Sequence, residues 1–366
     1  MIRMAQIGID APHAAAYRET LNLFRDRIEV VGLVRRTPDE PPVDPGPFRD
    51  VPVFDSIDDL LNATRIDAAQ VMLRNNEMGS ALATLAGEGI HLWAEKPVAR
   101  RAADLEPAAE AVNRNGLVFT AGYQARFQPT TRYARAMVAE GLLGPLTFAH
   151  MTTTTTTTRL RRPGGPLGYL FDPEVSGGGI FHWLGCHMVD LLLAITRAEP
   201  AAVGAMTATV GEEPLDIEDL AAVSLRFADG WLASLNYGYL LPTGTASPFG
   251  NDEPEPGIYG QRGWVRWNNQ TQVVKSYSAV TPDAPWQRHE LVSPNPGGYG
   301  NAAWLAMTNF LDAIEGLATS AYTIEQAMLV LHIIETAYES ARTGAQVAID
   351  PALARAFVET GVTVGR

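Results

Sequence analysis

The chain opens Arg3-Met4-Ala5-Gln6-Ile7-Gly8-Ile9-Asp10-Ala11-Pro12-His13, a short apolar run that stops at a glycine. A run of this length before a turn residue reads as a buried strand, and apolar residues at helical spacing follow at Tyr17, Leu21 and Phe24. The couplet then recurs. Strands are predicted at 3–7, 28–34, 68–73, 90–94 and 117–121, with helical patterns between them at Leu82, Leu85 and Ala86 and at Leu105, Ala108, Ala109 and Val112. Parallel strands need crossovers, and the crossover is usually a helix, so this alternation predicts a doubly wound α/β domain over residues 1–122. Residues 37–52, rich in proline and acidic side chains, read as a surface loop.

Beyond residue 122 the texture changes. Longer β-prone runs at 146–158, 201–210, 220–227, 231–239 and 263–267 alternate apolar with polar residues. That alternation predicts an open, mainly antiparallel sheet with one face packed and one face free. The threonine run 152–158 is low in complexity, but threonine is β-branched and suits a strand. Two late helices, 302–316 and 324–342, are expected to cover the sheet, giving a C-terminal α+β domain over 123–366. A free sheet face invites a second copy, so a homodimer or homotetramer is expected. Two domains also suit a chain of 366 residues.

Composition narrows the function classes. The formal net charge of −13 repels phosphate backbones and anionic membranes, which argues against nucleic-acid or membrane partners. The nearest thing to a basic patch, Arg159, Arg161 and Arg162, reads as an anchor for an anionic group or as solvated surface. Cys186 is the single cysteine, so no intramolecular disulfide forms and a reducing compartment is expected. The N-terminus lacks the pattern of a signal peptide, and no segment reads as a membrane span, so a cytoplasmic protein is expected. No metal is expected, because His182, His187 and Asp190 lack the usual ligand spacing.

Ligands of doubly wound sheets bind outside the carboxyl ends of the strands, and in the Rossmann form a pyrophosphate rests on a glycine-rich turn after the first strand. Gly8 occupies that turn, with Ile9 and His13 as its other candidate contacts to a dinucleotide. Asp10 and Pro12 spoil the glycine pattern, and Asp10 adds negative charge; a plain tight turn is the competing reading. The second strand runs out into Arg35-Arg36, where an arginine can take a 2′-phosphate, so NADP is slightly favoured over NAD. The fourth strand ends in Glu95-Lys96-Pro97, and a lysine there can donate to a substrate oxygen and stabilise a developing alkoxide. An ordinary exposed Glu–Lys pair is the bland alternative. Gly177-Gly178-Gly179 leads into a predicted helix carrying His182, His187 and Asp190. A neutral histidine there can take a hydroxyl proton, or it can simply be a buried, hydrogen-bonded residue.

Taken together and in order, the first strand, Glu95-Lys96-Pro97, Gly122-Tyr123-Gln124-Ala125-Arg126-Phe127-Gln128-Pro129, and Gly177-Gly178-Gly179 through His187-Met188-Val189-Asp190 resemble the glucose-fructose oxidoreductase / inositol dehydrogenase family, Gfo/Idh/MocA. The resemblance implies a Rossmann domain, a C-terminal domain whose open sheet mediates oligomerisation, and NAD(P)-dependent oxidation or reduction of sugars and polyols. It places Lys96 and His187 beside nicotinamide and substrate, with a Lys96–Pro97 bond that is often cis. It brings in Asn75 and Glu95 on the cofactor side and Arg126 on the substrate side. The chain departs from the family pattern in its glycine loop, at Met78 where a histidine is common, and at Trp183 where the family carries an acidic residue. Trp183 can instead stack on a sugar ring, and His182 is then the candidate to share proton handling with Lys96 and His187. The rival reading is a non-catalytic sugar or dinucleotide sensor of the same fold; a third is a redox-neutral reaction with a tightly held cofactor.

Overall fold

The structure, a computed structural model, describes residues 1–36, 43–156, 168–211, 214–241 and 255–359. Arg159, Arg161 and Arg162 lie outside the described residues, as do 37–42 and most of the loops 159–174 and 240–260.

The first sheet has six strands: β1 (Ile2–Ile7), β2 (Ile28–Val34), β3 (Val53–Phe54), β4 (Ala68–Val71), β5 (His91–Ala94) and β6 (Phe119–Ala121). They lie in the order β3-β2-β1-β4-β5-β6, and every pairing is parallel. This is the doubly wound order whose switch point falls between β1 and β4, where a crevice opens at the carboxyl ends. Helices α1 (Ala14–Asn22), α2 (Ile57–Ala63), α3 (Asn75–Gly87) and α4 (Glu106–Asn115) supply the crossovers. The Ser56 hydroxyl caps α2 by accepting from the Asp59 amide, and Gly116 ends α4 in the left-handed region at φ 60°. Tyr17, Leu21, Leu82, Leu85 and Ala108 are all fully buried on these helices, as their spacing requires.

A second sheet has nine strands: β7 (Leu146–Thr156), β8 (Pro200–Ala208), β9 (Leu220–Phe227), β10 (Leu232–Leu241), β11 (Gly257–Gly260), β12 (Gly263–Asn268), β13 (Val273–Ser278), β14 (Trp286–Glu290) and β15 (Val347–Ala348). They run β14-β13-β12-β11-β7-β10-β9-β8-β15, and only the β7–β10 pair is parallel. The helices here are α5 (Pro129–Ala139), α6 (Pro173–Ser176), α7 (Cys186–Thr196), α8 (Asn301–Ile314), α9 (Ile324–Thr343) and α10 (Pro351–Glu359). Helices α5, α7 and α9 pack together on one face of the sheet. Alternation is clean in β9, whose Ala221, Val223, Leu225 and Phe227 are buried while Ala222, Ser224 and Arg226 are exposed.

One expectation fails here. The run Pro173–Thr196 is long and apolar enough by length and composition to cross a membrane, contrary to the sequence reading, but it bends at Gly177–Gly179 and 72% of its most apolar window is buried inside the protein. Leu191, Leu192, Leu193 and Ile195 spend that hydrophobicity on the core between α5 and α9.

Candidate functional site

Gly8 ends β1 with φ 83°, and a Cβ on it would stand 2.1 Å from the Met72 carbonyl oxygen. Only glycine fits, for reasons of both conformation and space. The amides of Gly8 and Ile9 both donate to the Val34 carbonyl, at 2.8 and 3.0 Å, which ties the loop to the end of β2. The Ile9 carbonyl accepts from Arg18 Nη1 at 2.7 Å. Both backbone groups of Ile9 are thus used internally. The N-cap of α1, His13, makes no side-chain cap, and the first helical amide, that of Ala14, donates to the Ala11 carbonyl at 3.0 Å.

Asp10 sits against the end of β2. Its Oδ1 accepts from the Arg36 amide at 2.6 Å and its Oδ2 lies 3.7 Å from Arg36 Nε, with side-chain exposures of 4% and 1%. Tyr169 covers the same guanidinium at 5.4 Å. Arg35 Nη1 is 3.6 Å from Asp55 Oδ1. Both arginines therefore carry carboxylate partners, and the charge of Asp10 that looked out of place is matched by Arg36.

The peptide Lys96–Pro97 is cis. Glu95 turns into the protein: Tyr17 Oη donates to its Oε2 at 2.9 Å, and His13 Nδ1 stands 2.8 Å from Oε1. Gly122 packs so closely on it that a Cβ would fall 2.6 Å from Oε2. Lys96, 7% exposed, points the other way, its Nζ donating to the Trp183 carbonyl at 3.3 Å and lying 5.3 Å from the indole centroid. The Trp183 side chain thus meets the lysine with its ring.

That carbonyl is available because the segment after the glycines is wound wide. Phe181–Gly185 forms a π turn ahead of α7, and Gly185 admits the Phe181 ring where a Cβ would sit 2.4 Å away. The turn is clamped at its start by Glu218, which accepts from the Gly179 and Phe181 amides at 2.8 and 2.9 Å and from Tyr338 Oη at 2.7 Å. The Glu218 carbonyl takes the Ile180 amide and Tyr338 Oη takes the His182 amide, so four successive N-terminal amides find acceptors. A Cβ at Gly178 or Gly179 would collide with Tyr338 Oη or the Glu218 carbonyl, at 2.3 and 2.0 Å. Burial pushes the Glu218 carboxyl above its ordinary range, against the pull of these bonds.

Two cavities meet at Lys96. The larger, about 270 Å³, is lined by Lys96, His187, Gln124, Gln128, Asn269, Tyr299 and Asn301 among others. The smaller, about 30 Å³, lies on the side of the glycine loop, with Pro12, His13, Asn75, Tyr169 and Trp183 in its wall. Glu95 and Lys96 line both. His187 also meets Tyr123 edge to face at 5.9 Å.

Two of the catalytic and substrate-binding candidates fall outside this junction. His182 is 1% exposed, with Nε2 3.1 Å from the Arg100 carbonyl, and burial drops its pKa to about 4. It is a core histidine, because the π turn rotates it away from the face that carries His187. Arg126 is buried in a bidentate pair with Asp190 and donates also to the Ala321 carbonyl and Gln326 Oε1, with Tyr322 against its plane. Helical spacing sets His187 and Asp190 on neighbouring positions, but one faces the cavity and the other this ion pair. Asn75 Nδ2 donates to the Ser176 carbonyl at 2.6 Å, joining α3 to the glycine turn. Cys186 is buried with its thiol pushed up to about 12, so it stays protonated. Among the described residues no group of three or more His, Cys, Asp or Glu could hold a metal ion.

The sequence reading missed Tyr169, Asn269, Tyr299 and Asn301. For the last two a signal existed in Gly297-Gly298-Tyr299-Gly300-Asn301, a glycine-broken approach to α8.

A Rossmann-type pyrophosphate site needs a tight glycine turn and a helix N-terminus; Gly8 and α1 provide both at the switch point. Domain-family comparison matches residues 2–123 to an oxidoreductase family with an NAD-binding Rossmann fold, and residues 131–266 to the GFO/IDH/MocA C-terminal domain. This chain belongs to the Gfo/Idh/MocA family. Its relatives in the family include the 2,7-anhydro-N-acetylneuraminate hydratases of Mediterraneibacter gnavus and Escherichia coli, both 24% identical, over 52% and 69% of this chain. The matched stretches span 50% and 69% of those relatives' own length. Inositol 2-dehydrogenase of Rhizobium meliloti is 24% identical over 80% of this chain and 84% of its own. In fold, the WlbA dehydrogenase from Bordetella pertussis, solved with NADH and UDP-GlcNAcA, superposes with a TM-score of 0.79 at 20% identity, covering 95% of this chain and 98% of its own.

Proposed function

We propose that this protein moves a hydride between NAD(P) and a secondary alcohol or ketone carbon of a sugar, polyol or related small molecule. Residues 1–122 bind the dinucleotide and 123–366 the substrate. The observation that carries this reading is Lys96, which lines both cavities and shares the larger with His187. Gly8, His13, Asn75 and the backbone around Glu95 hold the dinucleotide at the carboxyl ends of β1, β4 and β5, with Arg35 and Arg36 at its adenosine end. When bound, the nicotinamide supplies the redox chemistry.

Lys96 donates to the reacting oxygen and stabilises the negative charge that develops there. His187 takes the hydroxyl proton in oxidation and returns it in reduction. Trp183 holds Lys96 by carbonyl and ring. The volume and the amide-rich lining of the larger cavity suit a monosaccharide-sized neutral polyol. The protein acts in the cytoplasm as a homodimer or homotetramer joined through the open sheet face, where Phe148, Met206, Leu232 and Trp286 stand exposed.

The hydratase relatives favour a second reading, in which the hydride removed from the substrate is returned to it and the net reaction is redox-neutral. A screen of sugars and polyols that follows both NAD(P)H absorbance and substrate loss separates the two. In either case Lys96→Met should lower turnover by about a hundredfold or more while leaving dinucleotide affinity within about threefold. Near-normal turnover in that variant would remove Lys96 from the mechanism.

A further inference from the structure

We propose that Asp10 sets this site to prefer NAD over NADP by holding Arg36 in an internal ion pair. The inference rests on the dinucleotide reading above and replaces the preference for NADP drawn from Arg35 and Arg36 in the sequence. In the common arrangement an acidic residue at the end of β2 reads the ribose hydroxyl, or an arginine there accepts the 2′-phosphate. This chain has exchanged the two positions. The arginine stands at the end of β2, and the acid comes from the loop after β1, where a glycine is usual.

The exchange is held in place by the bonds that tie the loop to β2. Gly8 and Ile9 donate to the Val34 carbonyl, and Asp10 then takes the Arg36 amide at 2.6 Å with its second oxygen 3.7 Å from Nε. Both side chains are more than nine-tenths buried, and Tyr169 lies over the guanidinium. A 2′-phosphate reaching Arg36 would meet the Asp10 carboxylate at the same place, and like charges so juxtaposed in a buried site disfavour the wrong ligand strongly. Arg35 offers no easier route, since Asp55 already stands beside it.

The hydroxyl-bearing cofactor meets the opposite situation. Asp10 Oδ2 is buried and accepts no hydrogen bond among the described residues. A buried acceptor in that state is costly, and a hydroxyl group can satisfy it whereas a phosphate dianion cannot. Asp10 thus takes on the ribose-reading task that an acidic residue at the end of β2 performs elsewhere.

The test is calorimetric titration of the full chain and of Asp10→Asn with NAD and with NADP, which reads binding without turnover. Asparagine keeps an acceptor for the Arg36 amide and removes the charge. We expect the native chain to bind NAD at least about tenfold more tightly than NADP, and the variant to shift that ratio towards NADP by about tenfold. A native chain that binds NADP as tightly as NAD, or a variant that binds both with an unchanged ratio, overturns the inference and leaves the dinucleotide reading standing. Failure of the native chain to bind either form overturns both. Should the variant not fold, the native ratio decides alone.

Discussion

Acid should weaken this protein through one histidine in its core. His182 is fully enclosed beneath the glycine turn, and burial first, then the nearby Lys96 charge, hold its pKa near 4 against an ordinary value of 6.5. The folded form therefore resists protonation that the unfolded chain accepts. The stability from keeping this imidazole neutral is fully present above about pH 6.5 and is lost as pH falls towards 4. A gap of about 2.5 units corresponds to about 3 kcal/mol once both forms are protonated, of which about 2 kcal/mol is lost between pH 7 and pH 5. Urea unfolding of the native chain and of His182→Gln, at both pH values, isolates this share. Glutamine can still donate to the Arg100 carbonyl but does not titrate. The variant should lose about 2 kcal/mol less than the native chain over that interval. An identical loss in the two proteins would show that His182 protonates in place, and the description of it as a core histidine would fall.

Two further substitutions probe the frame of the site. Gly8→Ala combines a left-handed backbone with a Cβ 2.1 Å from the Met72 carbonyl, so it should cost at least about 2 kcal/mol and lower the melting temperature, as well as weaken dinucleotide binding. A variant that melts with the native chain would mean that the β1–β4 contact is looser than described. Asp190→Asn leaves the Arg126 guanidinium buried without its counterion and should cost about 3 kcal/mol in urea unfolding. The paired variant Arg126→Met with Asp190→Leu should recover most of that loss, and no recovery would assign the cost to packing.

Much of the first domain was legible because its strands are continuous apolar runs bounded by turn residues. Strand β2 was expected at 28–34 and is found there; β1 differs by one residue. Strand β3, two residues long, gives periodicity nothing to act on. Strand β14, Trp286-Gln287-Arg288-His289-Glu290, is an edge strand with both faces partly in water, so no apolar stripe marks it. Lys96 and His187 were readable from their place at a strand end and after a glycine turn. The fate of His182 was not, because counting 100° per residue assumes an α-helix, and the π turn at Phe181–Gly185 breaks that count. Arg126 misled in another way: its partners Asp190, Ala321 and Gln326 lie 64 to 200 positions away, and a burial of this kind leaves no local trace. The same holds for Asp10 and Arg36, each of which looks ill-suited until the two are seen together.

Glu218 also shapes the electric field of the cleft. The start of a helix carries roughly half a positive charge, and an open one attracts anions. Here a buried carboxylate and a tyrosine hydroxyl have taken those amides, so the helical run leading to His187 presents little of that charge to a ligand. Among the residues lining the two cavities, the fixed positive charge is instead the ammonium of Lys96. A ligand beside His187 therefore meets a helix start whose first amides are already taken, while the start of α8, at Gly300 and Asn301, is the helix end that lines the larger cavity.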